Sequence, residues 1–183
     1  DPNDTGTQVI PTGMAMRAGR PGSGGASLSK SSFNPNFRLR VAGSLELYSE
    51  SGWGTVSMDL DGTIENTGML RFSGESTSIT GCNVENRGTV INDSAFVYYG
   101  SGAVWSEYGS LVSSGSFTIG AGSFGLQTGT VSGVLTFDDS AEATGFSVDS
   151  SQAAGSIHVA GRPWIGNLWS PGLTVYLDPG TQA

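Results

Sequence analysis

The amino-acid sequence predicts an all-β protein: a short parallel β-helix (β-solenoid) of about six coils of ~20 residues each. One observation is a set of four glycines, Gly68, Gly88, Gly109 and Gly129, at spacings of 20, 21 and 20 residues. Another is that β-branched and aromatic residues come in short clusters between Gly, Ser and Asn, as in short strands. Stretches with helical periodicity and no glycine are missing. Units that repeat at this period must stack on one another to bury a core.

The repeat glycines divide the central part of the chain into coils with a common plan. A short strand follows each glycine, and a second strand begins about ten residues later. The six candidate coils span residues 42–61, 62–81, 82–102, 103–122, 123–143 and 144–161. The outer coils keep the strand pattern and lose the glycine register, which is typical of the terminal repeats of a capped stack.

Equivalent residues of successive coils should lie about 4.8 Å apart, the spacing of neighbouring strands. Ile64, Val84 and Trp105 each lie four residues before a repeat glycine, so Trp105 is expected in the interior. Asn66 and Asn86 lie two residues before the glycine, and we expect their amides to form a hydrogen-bonded ladder at a tight bend.

Two acidic residues of the repeat would also stack. Glu65 and Glu85 occupy equivalent positions, and like charges at that spacing repel unless they are solvated or bridged by a cation. We expect solvated carboxylates. An antiparallel β-sandwich is the alternative architecture, because strands every 8–12 residues with Gly/Ser turns fit it as well.

The sequence divides into three parts: residues 1–36, 37–161 and 162–183. The first is rich in Gly, Pro and Ser and predicts an extended arm. Residues 1–40 carry a net charge of +3 and residues 41–183 a net charge of −11. This asymmetry indicates either an arm that contacts an acidic surface, such as a neighbouring copy, or merely a solvated tail. The candidate contact residues are Arg17, Arg20, Lys30, Arg38 and Arg40.

The C-terminal part combines aromatic residues with an alternating strand over 173–177. Because a β-helix leaves unpaired backbone at its ends, this segment is predicted to cap the last coil or to add a strand to a neighbour. The candidate residues for capping or assembly are Trp164, Trp169, Leu173, Val175 and Leu177.

Sequence signatures of common active sites are missing. The chain has one histidine, His158, in an alternating strand that should point it to solvent, so zinc motifs with two histidines are excluded. The single Cys82 excludes an intrachain disulfide and is expected to be a small buried residue. No Walker or dinucleotide-binding glycine motif occurs. We therefore expect no cofactor and no metal.

A resemblance to known repeat proteins rests on two segments, Gly62-Thr-Ile-Glu-Asn-Thr-Gly68 and Asn83-Val-Glu-Asn-Arg-Gly-Thr-Val90. Each precedes a Ser/Gly-rich second strand, and they resemble the degenerate repeats of filamentous-haemagglutinin-type adhesins. They are similar also to the β-helical parts of bacteriophage tailspikes and other virion projections. The resemblance covers about residues 42–161. It implies a β-helical fold in a secreted or virion protein.

Tailspikes of this architecture often cleave polysaccharides with paired acids. The resemblance therefore makes six carboxylates candidates for catalysis or, between coils, for Ca²⁺: Asp59, Asp61, Asp138, Asp139, Glu142 and Asp149. The repeat lacks the Gly-Gly-x-Gly-x-Asp signature of calcium-binding solenoids. Trp53, Tyr99 and Tyr108 are candidates for stacking on sugars or on a protein partner.

Together these observations predict a non-enzymatic structural protein. The first hypothesis is a bacteriophage virion component, a head decoration or tail-associated projection, anchored to a capsid by its arm. The second is a secreted adhesin or self-assembling surface filament subunit whose partners are its own copies or a cell-surface protein. The third is a spike that binds or cleaves surface polysaccharide. An acidic body argues against nucleic acid, and no apolar run is long enough to insert in a membrane.

Overall fold

The computed structural model describes residues 6–19, 27–29, 36–50, 52, 54–137, 145–148, 153–161, 163–168, 172–177 and 179. All regular secondary structure in these residues is β-strand. In chain order the strands are β1 Thr7–Ile10, β2 Ala15–Ala18, β3 Ser27–Ser29, β4 Arg38–Val41, β5 Ser44–Ser49, β6 Val56–Asp59, β7 Thr63–Asn66, β8 Met69–Gly74, β9 Ser76–Thr80, β10 Asn83–Asn86, β11 Thr89–Asn92, β12 Ala95–Glu107, β13 Ser110–Ser113, β14 Phe117–Leu126, β15 Thr130–Phe137, β16 Gly145–Val148, β17 Ala154–Gly161, β18 Trp164–Leu168 and β19 Gly172–Leu177.

Every strand pairing among the described residues is parallel, and the pairings form three ladders. The first contains β1, β4, β7, β10, the ends of β12 and β14, β16 and β18. The second contains β2, β5, β8, β11, β13, the starts of β15 and β17, and the start of β19. The third contains β3, β6, β9, the starts of β12 and β14, and the ends of β15, β17 and β19. The predicted parallel β-solenoid is therefore confirmed, and the antiparallel sandwich is wrong.

The stacking register is the one that the repeat glycines predict. Ile64 pairs with Val84, and Val84 pairs with Trp105, so the three residues share one column. All three are fully buried, and the prediction that Trp105 lies in the interior is confirmed. The six predicted coils correspond to the levels that run from β4 to β17.

The N-terminal segment contributes a further level instead of an extended arm. Strands β1, β2 and β3 pair in parallel with β4, β5 and β6. Ile10 and Ala18 are buried, and Leu28 is partly buried against the core. The described residues of this segment therefore have apolar side chains at interior positions, which the glycine period did not reveal because the repeat glycine is lost there.

The C-terminal strands extend the stack in the same way. β18 pairs with β16 and β19 pairs with β17, both in parallel. Leu173 and Val175 pack partly against the core. The strand predicted over 173–177 is thus the last described level of the second and third ladders.

Aromatic rings fill the interior of the central levels. The rings of Phe72 and Phe96 are stacked with centroids 4.0 Å apart, and those of Phe96 and Phe117 are 4.6 Å apart. A second row contains Trp105 and Phe124, stacked with centroids 6.3 Å apart. Phe96 and Phe117, like Trp105 and Phe124, are register partners in successive levels, whereas Phe72 reaches Phe96 from the neighbouring ladder. These ring contacts, stacked or tilted, bury large apolar surfaces.

The repeat glycines are required by close backbone approach. A Cβ atom on Gly68, Gly88, Gly109 or Gly129 would lie within 3.0 Å of the carbonyl oxygen of the glycine one level earlier, which is Gly43 for the first of them. None of the four has a positive φ, so the constraint is steric contact between coils and not backbone conformation. The column of glycines lets consecutive bends lie directly on one another.

We predict that Gly88→Ala lowers the free energy of unfolding by about 1–3 kcal/mol, because the new methyl group meets backbone atoms that have no room to move. Urea unfolding followed by circular dichroism measures the change. Gly125→Ala is the matched control: its Cβ would approach most closely the flexible end of Gln127, at 3.2 Å. Equal stability of the two variants would contradict the steric account of the glycine column.

Candidate functional site

The most distinctive group of polar residues in the described structure is a buried column at the first bend. Asn66 ends β7, Asn86 ends β10 and Glu107 ends β12, and the register pairs them in that order. All three side chains are inaccessible to solvent. Buried polar groups of this kind require hydrogen-bond partners.

The column supplies those partners from its own members. Asn66 Nδ2 donates to Asn86 Oδ1 at 2.6 Å, and Asn86 Nδ2 donates to Glu107 Oε1 at 2.6 Å. The predicted ladder between Asn66 and Asn86 is therefore confirmed. The extension to Glu107 was not predicted, although its signal is in the sequence: Glu107-Tyr108-Gly109 repeats the spacing of Asn86-Arg87-Gly88.

One side-chain oxygen of each column residue also accepts a hydrogen bond from the backbone of its own bend. The N–H of Gly68 donates to Asn66 Oδ1 at 3.2 Å, and the N–H of Gly109 donates to Glu107 Oε1 at 3.0 Å. This is the local turn that Asn favours when its side chain binds the N–H two residues later. The glycine and the polar residue of each repeat thus form one unit of the bend.

A second buried amide supports the next bend. Asn92, at the end of β11, donates from Nδ2 to Ser113 Oγ at 2.9 Å and to the Ser116 carbonyl at 2.9 Å. Its Oδ1 accepts from the N–H of Ser94 at 3.2 Å. Two successive bends of this coil, after β10 and after β11, are therefore tied to the following coil by an Asn side chain.

Glu107 is a buried carboxyl group that forms no ion pair with any residue in the described part of the chain. Trp105 Nε1 donates to Glu107 Oε2 at 3.2 Å, in addition to the donors from Asn86 and Gly109. Burial raises the pKa of Glu107 to about 7, although the three donors favour the charged form. The next residue in the column is the buried apolar Leu126, so the polar column ends at Glu107.

On the outer face of the same levels, acidic residues are held by arginines. Arg38 and Arg40 both bind the Glu65 carboxylate, Arg40 Nε at 2.6 Å. Partial burial tends to raise the pKa of Glu65, but the hydrogen bonds from these two arginines lower it below its usual value. The expectation that Glu65 is solvated is therefore wrong: cations one level earlier in the stack bridge it. Glu85, the next residue of this column, is 3.8 Å from Arg87.

The basic residues proposed for partner binding have different surroundings. Arg17 Nε pairs with Glu46 at 2.7 Å, so Arg17, like Arg38 and Arg40, binds an acid of its own chain. Each of the three side chains remains about half exposed. Arg20 and Lys30 lie outside the described residues.

The C-terminal candidates for assembly lie at the last level of the stack. Leu173 and Val175 are half-buried, and Leu177 is 51% exposed. Trp164 belongs to β18, but its side chain lies outside the described part of the structure, as does the whole of Trp169.

A shallow groove of ≈ 440 Å³ crosses the first bend on its outer side. Its lining includes Arg40, Glu65, Glu85 and Arg87. The guanidinium of Arg87 also lies over the Tyr108 ring, 4.1 Å from the centroid. Acids and arginines of the lining thus pair with each other, and Tyr108 is half-buried beneath one of them.

Of the residues with nucleophilic or acid–base chemistry, His158 lies on β17, late in the stack, and Cys82 lies near Asp59 and Asp61. His158 is exposed, as predicted, and its ring stacks on Tyr176 with centroids 4.7 Å apart. Cys82 is buried, as predicted, and burial together with Asp59 and Asp61 raises the pKa of its thiol to about 12. Such a thiol is a poor nucleophile at neutral pH.

Of the six candidate acids the structure describes two, Asp59 and Asp61, and it brings their carboxylates together beside Gly81, where an added Cβ would lie 3.2 Å from Asp59 Oδ1 and 3.6 Å from Asp61 Oδ1. Asp59 ends β6 and Asp61 lies in the following bend. The described residues contain no group of three or more His, Cys, Asp or Glu that could hold a metal ion. Asp138, Asp139, Glu142, Asp149 and the aromatic Trp53 lie outside those residues, and Tyr99 is 53% exposed.

No protein-family model, curated protein or solved structure matches this chain. The fold therefore rests on the strand pairings alone, and the resemblance to adhesins and tailspikes stays a prediction. Among the described residues, no helix is long and apolar enough to span a membrane.

We predict a pH-dependent stability that originates at Glu107. Since its folded pKa of about 7 exceeds the ordinary value of 4.5, the folded state holds the proton more tightly than the unfolded chain does. The stabilisation is complete below the ordinary value and is lost as pH rises through the folded value, by about 3 kcal/mol in total. Urea unfolding at a series of pH values measures this loss.

Glu107→Gln should remove the pH dependence within that window, because the amide does not titrate. Glu85→Gln is the control, since that side chain lies on the outer face and its change should leave the slope in place. A slope that persists in Glu107→Gln would show that another group causes it.

Proposed function

We propose that this protein is a non-enzymatic structural element of an extracellular or virion assembly, with a bacteriophage head decoration or tail-associated projection as the first hypothesis. The observation that carries the proposal is the continuity of the three parallel ladders from β1 to β19. Each described level supports the next through parallel strand pairing, and the central levels add aromatic stacking and the buried column at the bend. Such a stack resists bending and is therefore suited to a part of an assembly that projects from its surface.

The distribution of reactive groups supports a structural role over a catalytic one. Catalysis by side chains needs an acid, a base or a nucleophile within hydrogen-bond reach of one another beside a substrate. Here Glu107 is closed off in the core, Cys82 is buried, and His158 stacks on Tyr176 on the outer face. We therefore assign the polar column to stability and register.

Attachment to other molecules is assigned to the ends of the stack. An anchoring arm requires free cations, but Arg17, Arg38 and Arg40 already pair with Glu46 and Glu65 of the same chain. The two terminal levels, in contrast, carry backbone edges that the described strands pair on one side only. A capsid protein, a cell-surface protein or another copy are the partners that fit such edges.

A secreted adhesin or surface filament subunit is the second candidate. The observation that favours it is the exposure of interior positions at both ends of the stack, 40% for Met16 and 51% for Leu177. Apolar core positions that are exposed at both described ends suit a polymer of identical copies. The two candidates differ in where the protein is found, on virus particles or on the cell surface.

Immunogold electron microscopy tests the proposal directly. Antibodies against the purified chain are applied to cells that express it at natural levels and to the particles that those cells release. Label on projections of released particles supports the virion hypothesis, and label on cell-surface structures supports the adhesin or filament. Label confined to soluble material inside the cell would contradict a structural role in either assembly.

A further inference from the structure

The two ends of the stack have matching cross-sections. The first level presents β1, β2 and β3, which belong to the first, second and third ladders. The last described level presents β18 in the first ladder and β19 in the second and third. Each end therefore offers one strand edge for every ladder.

At the N-terminal end, an interior position of the second ladder is open to solvent. Met16 occupies the column of Leu45 and Leu70, which are each only 1% exposed. Met16 itself is 40% exposed. Among the described strands, only β5 pairs with the strand that carries Met16.

At the C-terminal end, an interior position of the third ladder is likewise open to solvent. Leu177 continues the column of Leu135 and Val159, both fully buried, yet it is 51% exposed. Val175 continues the column of Ile157 and is half-buried. Apolar residues at core positions thus face out of both ends.

The strands at the two ends also lack the charges that usually protect sheet edges. Natural edge strands avoid pairing with other chains by carrying charged residues, most often Lys, or Pro. β1, β3, β18 and β19 contain no charged residue and no Pro, and β2 contains only Arg17, which pairs with Glu46. Within these five strands, a partner strand would therefore meet no unpaired charge that had to be desolvated.

We propose that the C-terminal end of one copy docks on the N-terminal end of a second copy, so that the three ladders continue from β18 and β19 into β1, β2 and β3. Only this arrangement keeps the strands parallel across the junction, because two identical ends face to face would run in opposite directions. The contact is heterologous and, when it does not close into a ring, produces a filament. This inference rests on the proposed structural function and names its partner.

Two variants block one end each. Leu177→Lys places a charge at the C-terminal core position, and Met16→Lys does the same at the N-terminal end. Because both side chains are already about half exposed in the single chain, each variant should fold, which circular dichroism checks. Burial of the charge in the junction should raise the critical concentration for assembly about tenfold or more.

The sharpest test mixes the two variants. Each alone should be monomeric by size-exclusion chromatography with light scattering, while the wild type forms chains visible by negative-stain microscopy. An equimolar mixture should form dimers, because the intact N-terminal end of Leu177→Lys accepts the intact C-terminal end of Met16→Lys. Thr174→Lys and Val9→Lys, at exposed outward positions of the same end levels, are the matched controls and should assemble like the wild type.

A wild type that stays monomeric at high concentration would overturn the proposal, as would a mixture that yields no dimer. These failures differ from failure of the proposed function. A monomeric protein that immunogold labelling places on particles or cell surfaces would remain a structural element, attached to a different partner.

Discussion

The structure depends on one constraint: residues at equivalent positions in successive coils must tolerate each other at the spacing of neighbouring strands. Every described pairing is parallel, so each residue stacks on its equivalent in the next coil, and a shift in the register of one coil would be passed on to the coils stacked after it. The constraint is met in three ways. Aromatic rings stack in the core, glycines allow bends to touch, and polar side chains inside the first bend bind one another.

The buried column at the first bend shows why these contacts are linked. Asn86 uses its Nδ2 to bind Glu107 in the next level and its Oδ1 to receive Asn66 from the level before. That geometry requires the backbones of the bends to be close, which Gly68 and Gly88 permit. A slip of one residue would bring an outward side chain into the column and leave the buried amides without partners. The column therefore selects one register among the many that a Gly/Ser-rich sequence permits.

Much of this fold could be read from the sequence, because repeats carry their own register. The shared position of Ile64, Val84 and Trp105 was predicted from their distance to the repeat glycine, and the amide ladder from the Asn-x-Gly spacing. The first level escaped prediction because its connecting segments differ in length from those of the repeats, so no period extended into it. The pairing of Glu65 with Arg38 and Arg40 could not be predicted from the sequence for a related reason. Its partners lie 25 and 27 residues away and become neighbours only through stacking.

A double-mutant cycle on Asn66 and Asn86 tests the central claim, that contacts between coils at the bend fix the register. Unfolding free energies are measured for Asn66→Ala, Asn86→Ala and the double variant. We expect a coupling energy of about 1–3 kcal/mol, because the two amides bind each other. The pair Asn66 and Asn92, at different bends, should be additive within about 0.5 kcal/mol. Additive effects for Asn66 and Asn86 as well would contradict the claim.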